Sequence, residues 1–307
     1  MSALRLLLPL VLIGFCLWLS DGRDALQRLS DLSPGWALAT LVLLNAVTLL
    51  SALRWRRTAV ALRLGMPRGR AVREYYMAQF VNQTLPGGVL GDAARAARSR
   101  QSGPMSRAAQ AVVLERAAGQ AGMAVVALSG AGVLLAGAGR PAPDAGLAAT
   151  LWVPGAVLAF LLGALLLLLA SRGGRAHGWR AAARTALLGQ WPAQVALSLA
   201  IAVLTVAAFV TAARASGSLL PAGKAALVVP LILTAMLLPA SVAGWGWREG
   251  AAAALFPLAG LSAEAGLAAS IAYGLISLLS ALPGAFFLRR TPRATPEGAT
   301  GIASPHD

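Results

Sequence analysis

Long apolar runs alternate along this chain with short basic loops. Runs of about twenty residues free of charge occupy 34–53, 117–138, 151–170, 191–213 and 265–288, and a further run at 4–20 carries only Arg5. A helix of about 20 apolar residues crosses a hydrocarbon core about 30 Å thick. The pattern therefore predicts an all-α, polytopic membrane protein with about six full spans. Two more apolar stretches, 75–91 and 225–262, are interrupted by Pro and Gly and do not read as simple spans.

Charge orders these segments. Seven Arg lie in 54–74, five in 92–116 and four in 171–190, whereas 21–33, 139–150 and 214–224 are nearly balanced or sparsely charged. Positive charge marks the cytoplasmic loops, so the three Arg-rich loops and the tail with Arg289, Arg290 and Arg293 are assigned there. Segment 75–91 then has basic flanks on both sides. It is also broken at Pro86, Gly87, Gly88 and Gly91. A re-entrant hairpin entering from the cytoplasm meets both conditions, with its irregular backbone buried or lining a polar cavity. By the same count 225–262 is a hairpin dipping from outside, with its turn near Gly244–Glu249. Residues 92–116 read as a basic amphipathic surface segment broken near Gly103-Pro104. Residues 4–20 read as an uncleaved first span, since no small-residue cleavage site precedes Asp21.

The two hairpins share a spelling. Residues 85–95 (LPGGVLGDAAR) and 238–248 (LPASVAGWGWR) both follow Leu-Pro-x-x-Val-x-Gly-x-x-x-Arg at an offset of 153, half of the 307-residue chain. The same offset carries 34–53 onto 187–206 and 117–138 onto 270–291. Each half then holds three spans and one hairpin, which turns the second half upside down. That is the inverted-topology repeat of alternating-access transporters. Half A covers about 1–145 and half B about 146–290, with a polar, disordered cytoplasmic tail at 291–307.

Composition narrows the chemistry. The net charge of +15 is almost wholly Arg and sits between spans, so it reads as topology and anionic headgroup contact rather than nucleic-acid binding. Cys16 is the only cysteine, and His177 and His306 lie far apart. Neither a metal cluster nor an intrachain disulfide is expected, and no cofactor is assigned. The chain has no Walker loop, nucleophile elbow or H-E-x-x-H motif, so no ATPase, hydrolase or metalloprotease chemistry is assigned and the chain is not expected to be an enzyme.

The candidate site residues bracket the breaks. Asn82, Gln83, Pro86, Gly88, Gly91, Asp92 and Arg95 belong to the first hairpin. Asp92 is placed at the start of the returning helix, where an acid complements the helix dipole, with Arg95 on the same face. Glu115 and Arg116 open the next span. Pro239, Gly244, Arg248 and Glu249 belong to the second hairpin. Charge at membrane depth costs roughly 2.5–3.5 kcal/mol and so points to a cavity or a partner. Arg95 and Arg248 are expected to approach each other across the midplane and bind a lipid phosphate as planar forks of donors.

Arg54-Trp55, the block Asn82-x-x-Leu-Pro-Gly-Gly-x-x-Gly-Asp-x-x-Arg95, Glu115-Arg116 and Pro239…Gly244-x-Gly-x-Arg-Glu249 resemble the lysylphosphatidylglycerol synthase transmembrane, or flippase-like, family over about 4–290. Leu90 stands where the family pattern has a further Gly, and the C-terminal motif is poorer in Pro and Gly. The resemblance implies translocation of a polar-headed, phosphate-bearing membrane lipid across the bacterial cytoplasmic (inner) membrane, with both termini cytoplasmic. Two-domain members add a soluble aminoacyl-transferase domain; with about 17 residues after the last span, this chain is expected to lack it. The alternative is a membrane enzyme or accessory subunit of lipid-linked glycan or polyprenyl-phosphate synthesis, with lipid-modifying enzymes or glycosyltransferases as partners.

Overall fold

A computed structural model describes residues 22–85, 88–99, 102–137, 160, 163–164, 174–237 and 244–289. The predicted span 4–20, nearly all of 151–170 and the tail beyond 289 lie outside the described residues. Ten long helices carry the described chain: α1 (Gly22–Ser30), α2 (Pro34–Ala61), α3 (Arg68–Thr84), α4 (Leu90–Ser99), α5 (Met105–Gly137), α6 (Gly174–Ala186), α7 (Trp191–Ala215), α8 (Ala222–Thr234), α9 (Trp247–Leu255) and α10 (Ala263–Arg289). No strand occurs among them. Four helical stretches, Pro34–Ala61, Met105–Leu134, Gly178–Ala215 and Ala263–Arg289, are long and apolar enough to cross a membrane.

These long helices are apolar on every side, so the sorting of residues is by size and polarity. On α2 the inward residues Thr40, Leu44, Thr48, Ser51, Trp55 and Thr58 recur every three or four positions, while Leu38, Val42, Leu49 and Val60 point away from the protein. Small and polar residues on the packed face with bulky aliphatics outside are the arrangement of a helix in lipid, where close packing and interhelical hydrogen bonds replace the hydrophobic drive. Helix α2 packs antiparallel along α7: Thr40 donates to Thr211 Oγ1 (2.8 Å), Arg54 to Ser198 Oγ (3.0 Å), and Gln194 to Thr58 Oγ1 (3.0 Å).

Helices α3 and α4 form a hairpin. At its open end Arg70 donates to the Arg98 carbonyl (3.0 Å) and Arg98 pairs with Glu74 (2.6 Å). At its tip Asn82 Oδ1 accepts from the Gly91 N–H (2.7 Å). Gly91 is required there, because a Cβ would strike the Ala78 carbonyl. Helices α8 and α9 form a second hairpin, closed at one end by Lys224 Nζ donating to the Ala259 carbonyl (3.1 Å). At its other end Gly244 and Gly246 adopt φ of 75° and 87°, left-handed values that favour glycine. A Cβ on Gly244 would meet Met236, so the glycines at 91 and 244 hold equivalent places.

Helix α10 seats both hairpins. Gly284 lies against Tyr76, Ser280 accepts from Gln79 (3.3 Å) and Ser277 accepts from Gln83 (2.6 Å), ascending the first hairpin to its tip. Gly274 lies against Arg248 and Trp245, and Gly266 against Ala252, descending the second. The hairpins thus enter from opposite ends of α10 and their tips meet near its middle.

Two expectations are corrected. Residues 92–116 are not a surface segment, because α4 buries Asp92, Arg95, Ala96 and Ser99 against its neighbours. Helix α5 starts at Met105 rather than at 117. Asp92, Arg95 and Arg98 are paired with neighbouring helices, so charge does not mark the surface there, whereas residues 104–107 are exposed and the break near Gly103-Pro104 separates α4 from α5.

Candidate functional site

A cavity of about 350 Å³ opens where the tips converge. Its walls come from α2 (Thr48, Ser51, Arg54), the first hairpin (Tyr75, Gln79, Asn82, Gln83, Gly88, Asp92), α5 (Arg116, Gly119, Gln120), and Leu233, Met236, Tyr273 and Ser277 on the far side. Polar groups therefore converge within a bundle whose outer surface is aliphatic, a combination that marks a binding site.

The basic wall is a network. Glu115, fully buried, accepts from Arg54 Nη2 (2.6 Å) and Arg95 Nη2 (3.3 Å). Asp92 accepts from Arg95 Nη2 (2.8 Å) on one oxygen and from Arg116 Nη2 (2.5 Å) on the other. Asn82 Nδ2 also reaches Asp92 (3.3 Å). Three guanidiniums thus face two carboxylates, leaving one positive charge in excess. The Arg95 guanidinium is sandwiched between the rings of Trp55 (4.5 Å) and Tyr75 (4.6 Å). Its Nε and Nη1 are buried without a hydrogen-bond partner, and π-faces on both sides supply much of the compensation.

Exposure separates the three arginines. The Arg95 side chain is 0% exposed and Arg54 4%, whereas Arg116 is 48% exposed. Arg54 and Arg116 each keep a single carboxylate partner, but only Arg116 is open enough to turn part of its fork toward a ligand. Arg95 holds the wall behind it.

The second hairpin is organised differently. Arg248 and Glu249 are both fully buried and pair with each other: Glu249 Oε1 accepts from Arg248 Nη2 (2.6 Å) and Nε (3.0 Å) and from Ser270 Oγ (3.1 Å). Glu249 Oε2 accepts from the Gly246 N–H (2.6 Å) and fixes the turn into α9. Trp245 lies 4.8 Å and Tyr273 5.7 Å from the Arg248 guanidinium.

Asn82, Gln83, Gly88, Asp92 and Arg116 thus line the cavity, and Gly91, Arg95 and Glu115 stand directly behind them. Gly244, Arg248 and Glu249 sit at the second tip, where Tyr273 separates them from the cavity. Pro86 and Pro239 lie outside the described residues. The expected meeting of Arg95 and Arg248 in the cavity is not what the structure places there. Each is sealed in its own aromatic and carboxylate cage, because a guanidinium this deep needs a fixed counter-ion. Two further cavity residues, Arg54 and Tyr75, do not stand out as site residues in the sequence. Arg54 reads as loop charge, although its spacing from Ser51 and Thr58 puts all three on the inner face of α2.

Among the described residues, four membrane-length helices surround a polar cavity walled by arginines, the architecture of a polytopic α-helical membrane protein. The chain belongs to the lysylphosphatidylglycerol synthase transmembrane family, whose sequence profile matches residues 4–284. No curated protein and no solved structure matches it. Among the described residues no cluster of His, Cys, Asp and Glu could hold a metal ion.

Proposed function

We propose that this protein moves a phosphate-bearing lipid across the membrane, with the headgroup held in the cavity by Arg116. The observation that carries this reading is the excess cation in a cavity enclosed by membrane-length apolar helices. Burying a positive charge there is costly, and an anionic ligand offsets that cost. A phosphate accepts several hydrogen bonds at once and suits a planar fork of donors, while Asn82, Gln83, Ser51 and Gln120 offer neutral partners to a polar head.

An inverted repeat supplies the motion. The contacts come in matching sets: α3 packs on α10 as α8 packs on α5, and α4 packs on α5 as α9 packs on α10. A shift of 153 residues exchanges the members of each set. Paired hairpins on a shared axis are suited to opening the site to one face and then the other. With the Arg-rich loops on the cytoplasmic side, the first hairpin enters from the cytoplasm and the second from outside.

The rival reading, an enzyme of lipid-linked glycan synthesis, needs a free acid or base beside the ligand. Asp92 is the carboxylate in the cavity wall, and both its oxygens are committed to guanidiniums, which favours binding over proton transfer. The test is transport in proteoliposomes carrying headgroup-labelled lipids. Arg116→Ala removes a charge-assisted hydrogen bond worth about 1.5–3 kcal/mol, so movement of an anionic phospholipid should fall about 10- to 100-fold. Unaltered movement in the variant, or equal movement of a neutral glycolipid by the native protein, refutes the reading.

A further inference from the structure

A headgroup in the cavity leaves open where its alkyl chain runs, and the two seams that flank the cavity differ in kind. Both seams pack closely on a glycine, Gly284 against Tyr76 and Gly130 against Ala226 and Leu227, but among the described residues only the α3–α10 seam is pinned by hydrogen bonds, Gln83 on Ser277 (2.6 Å) and Gln79 on Ser280 (3.3 Å). The equivalent α5–α8 seam is mostly apolar, with Gln120 and Thr234 as its polar residues. Thr234 turns its hydroxyl back to the Pro230 carbonyl of its own helix (2.7 Å). Ala131, Leu227 and Leu231 form a small core of their own with Leu134 and Leu255.

This seam contains a cleft lined by Met123, Ala124, Ala127, Pro230 and Leu231, and it shares Gln120 and Met123 with the polar cavity. At about 10 Å³ it holds no more than about one water and is shut to an alkyl chain. Its walls can part. Small side chains line the α5 side, and Pro230 removes one hydrogen bond from the middle of α8, a point where helices bend. Parting the pinned seam would instead strand two glutamine side chains facing lipid, where unsatisfied polar groups are expensive.

We propose that the α5–α8 seam is the lateral door for the alkyl chain of a phosphate-bearing lipid, which stays in the bilayer while its headgroup occupies the cavity. This inference rests on the cavity reading above. It assigns the substrate's tail a path: past Gln120 and Met123, then out between Ala127 and Leu231.

The test uses the full chain in nanodiscs of phosphatidylglycerol with a photoactivatable diazirine in the acyl chain, and maps adducts by mass spectrometry. Adducts should form at Ala127 and Leu231 as well as on the outward-facing residues Val42 and Leu279. Arg116→Ala should lower the seam adducts at least about tenfold, the loss expected for one charge-assisted bond, and leave those at Val42 and Leu279 unchanged. Ala127→Trp, which fills the cleft, should remove the adduct at Leu231 and keep that at Leu279. If the adducts sensitive to Arg116 instead lie at Ser277 and Ser280, the cavity reading stands and this door is overturned. If no adduct on the chain responds to Arg116, the cavity reading fails and the door with it.

Discussion

Arg248 and Glu249 permit a double-mutant test of what a buried ion pair does in this bundle. In Arg248→Met the Met side chain can occupy the space beside Trp245 and Tyr273, but the Glu249 carboxylate loses both guanidinium bonds and keeps only the Gly246 N–H and the Ser270 hydroxyl. In Glu249→Gln the amide oxygen can still accept from Gly246, and Arg248 is left as a fully buried cation without a counter-ion. Stranding one member of a buried pair costs about 3–5 kcal/mol. The double variant strands neither, and replacing a buried pair with neutral groups of similar size is often close to neutral. The two singles then sum to about 6–10 kcal/mol while the double stays near zero, so its loss should fall short of the sum by at least about 3 kcal/mol, the upper end of common pairwise couplings. The assay is reversible unfolding of purified protein by SDS in mixed micelles, read by tryptophan fluorescence. Additive losses, with the double variant the least stable of the three, would refute the assignment of these residues to mutual support.

Three further outcomes are expected. Arg95→Lys should impair transport nearly as much as Arg95→Ala, since an ammonium reaches one carboxylate and loses the stacking between Trp55 and Tyr75; full activity in the lysine variant would count against the cage. Gly91→Ala should destabilise the protein by about 1–3 kcal/mol in the same SDS titration, because its methyl meets the Ala78 carbonyl; native stability would mean the hairpin tip is looser than its packing. With Cys16→Ser, cysteines introduced at Arg63, Ser102 and Gly178 should be labelled from one face of the membrane and one at Leu219 from the other. Labelling of Ser102 from the face of Leu219 would remove the first re-entrant hairpin.

Local breaks were legible in the sequence and lateral partners were not. Gly88, Gly91, Gly244 and Gly246 mark the hairpin tips in the sequence, since few other residues turn a helix back on itself. Asp92, Arg95, Glu115 and Arg116 were visible because ionisable groups beside apolar runs are scarce. The same scarcity hides Arg54, whose charge beside a basic loop reads as surface although the residue is buried. What converts these charges into interior residues is their pairing across helices, Arg54 with Glu115 and Glu74 with Arg98, and no spacing within one helix encodes that. The seating of Gln83 on Ser277 joins residues nearly two hundred positions apart. A single sequence carries no trace of it.

Helix α10 makes the two tips mechanically one object. Gly274 lies under the guanidinium of Arg248 and Ser277 holds Gln83, and these two residues are three positions apart, about 4.5 Å of rise. A slide or rotation of α10 therefore cannot disturb one tip and spare the other. In the transport cycle proposed above, alternation would need no signal relayed through the bundle: a movement of this part of α10 that loosened one tip would bear on the other in the same stroke.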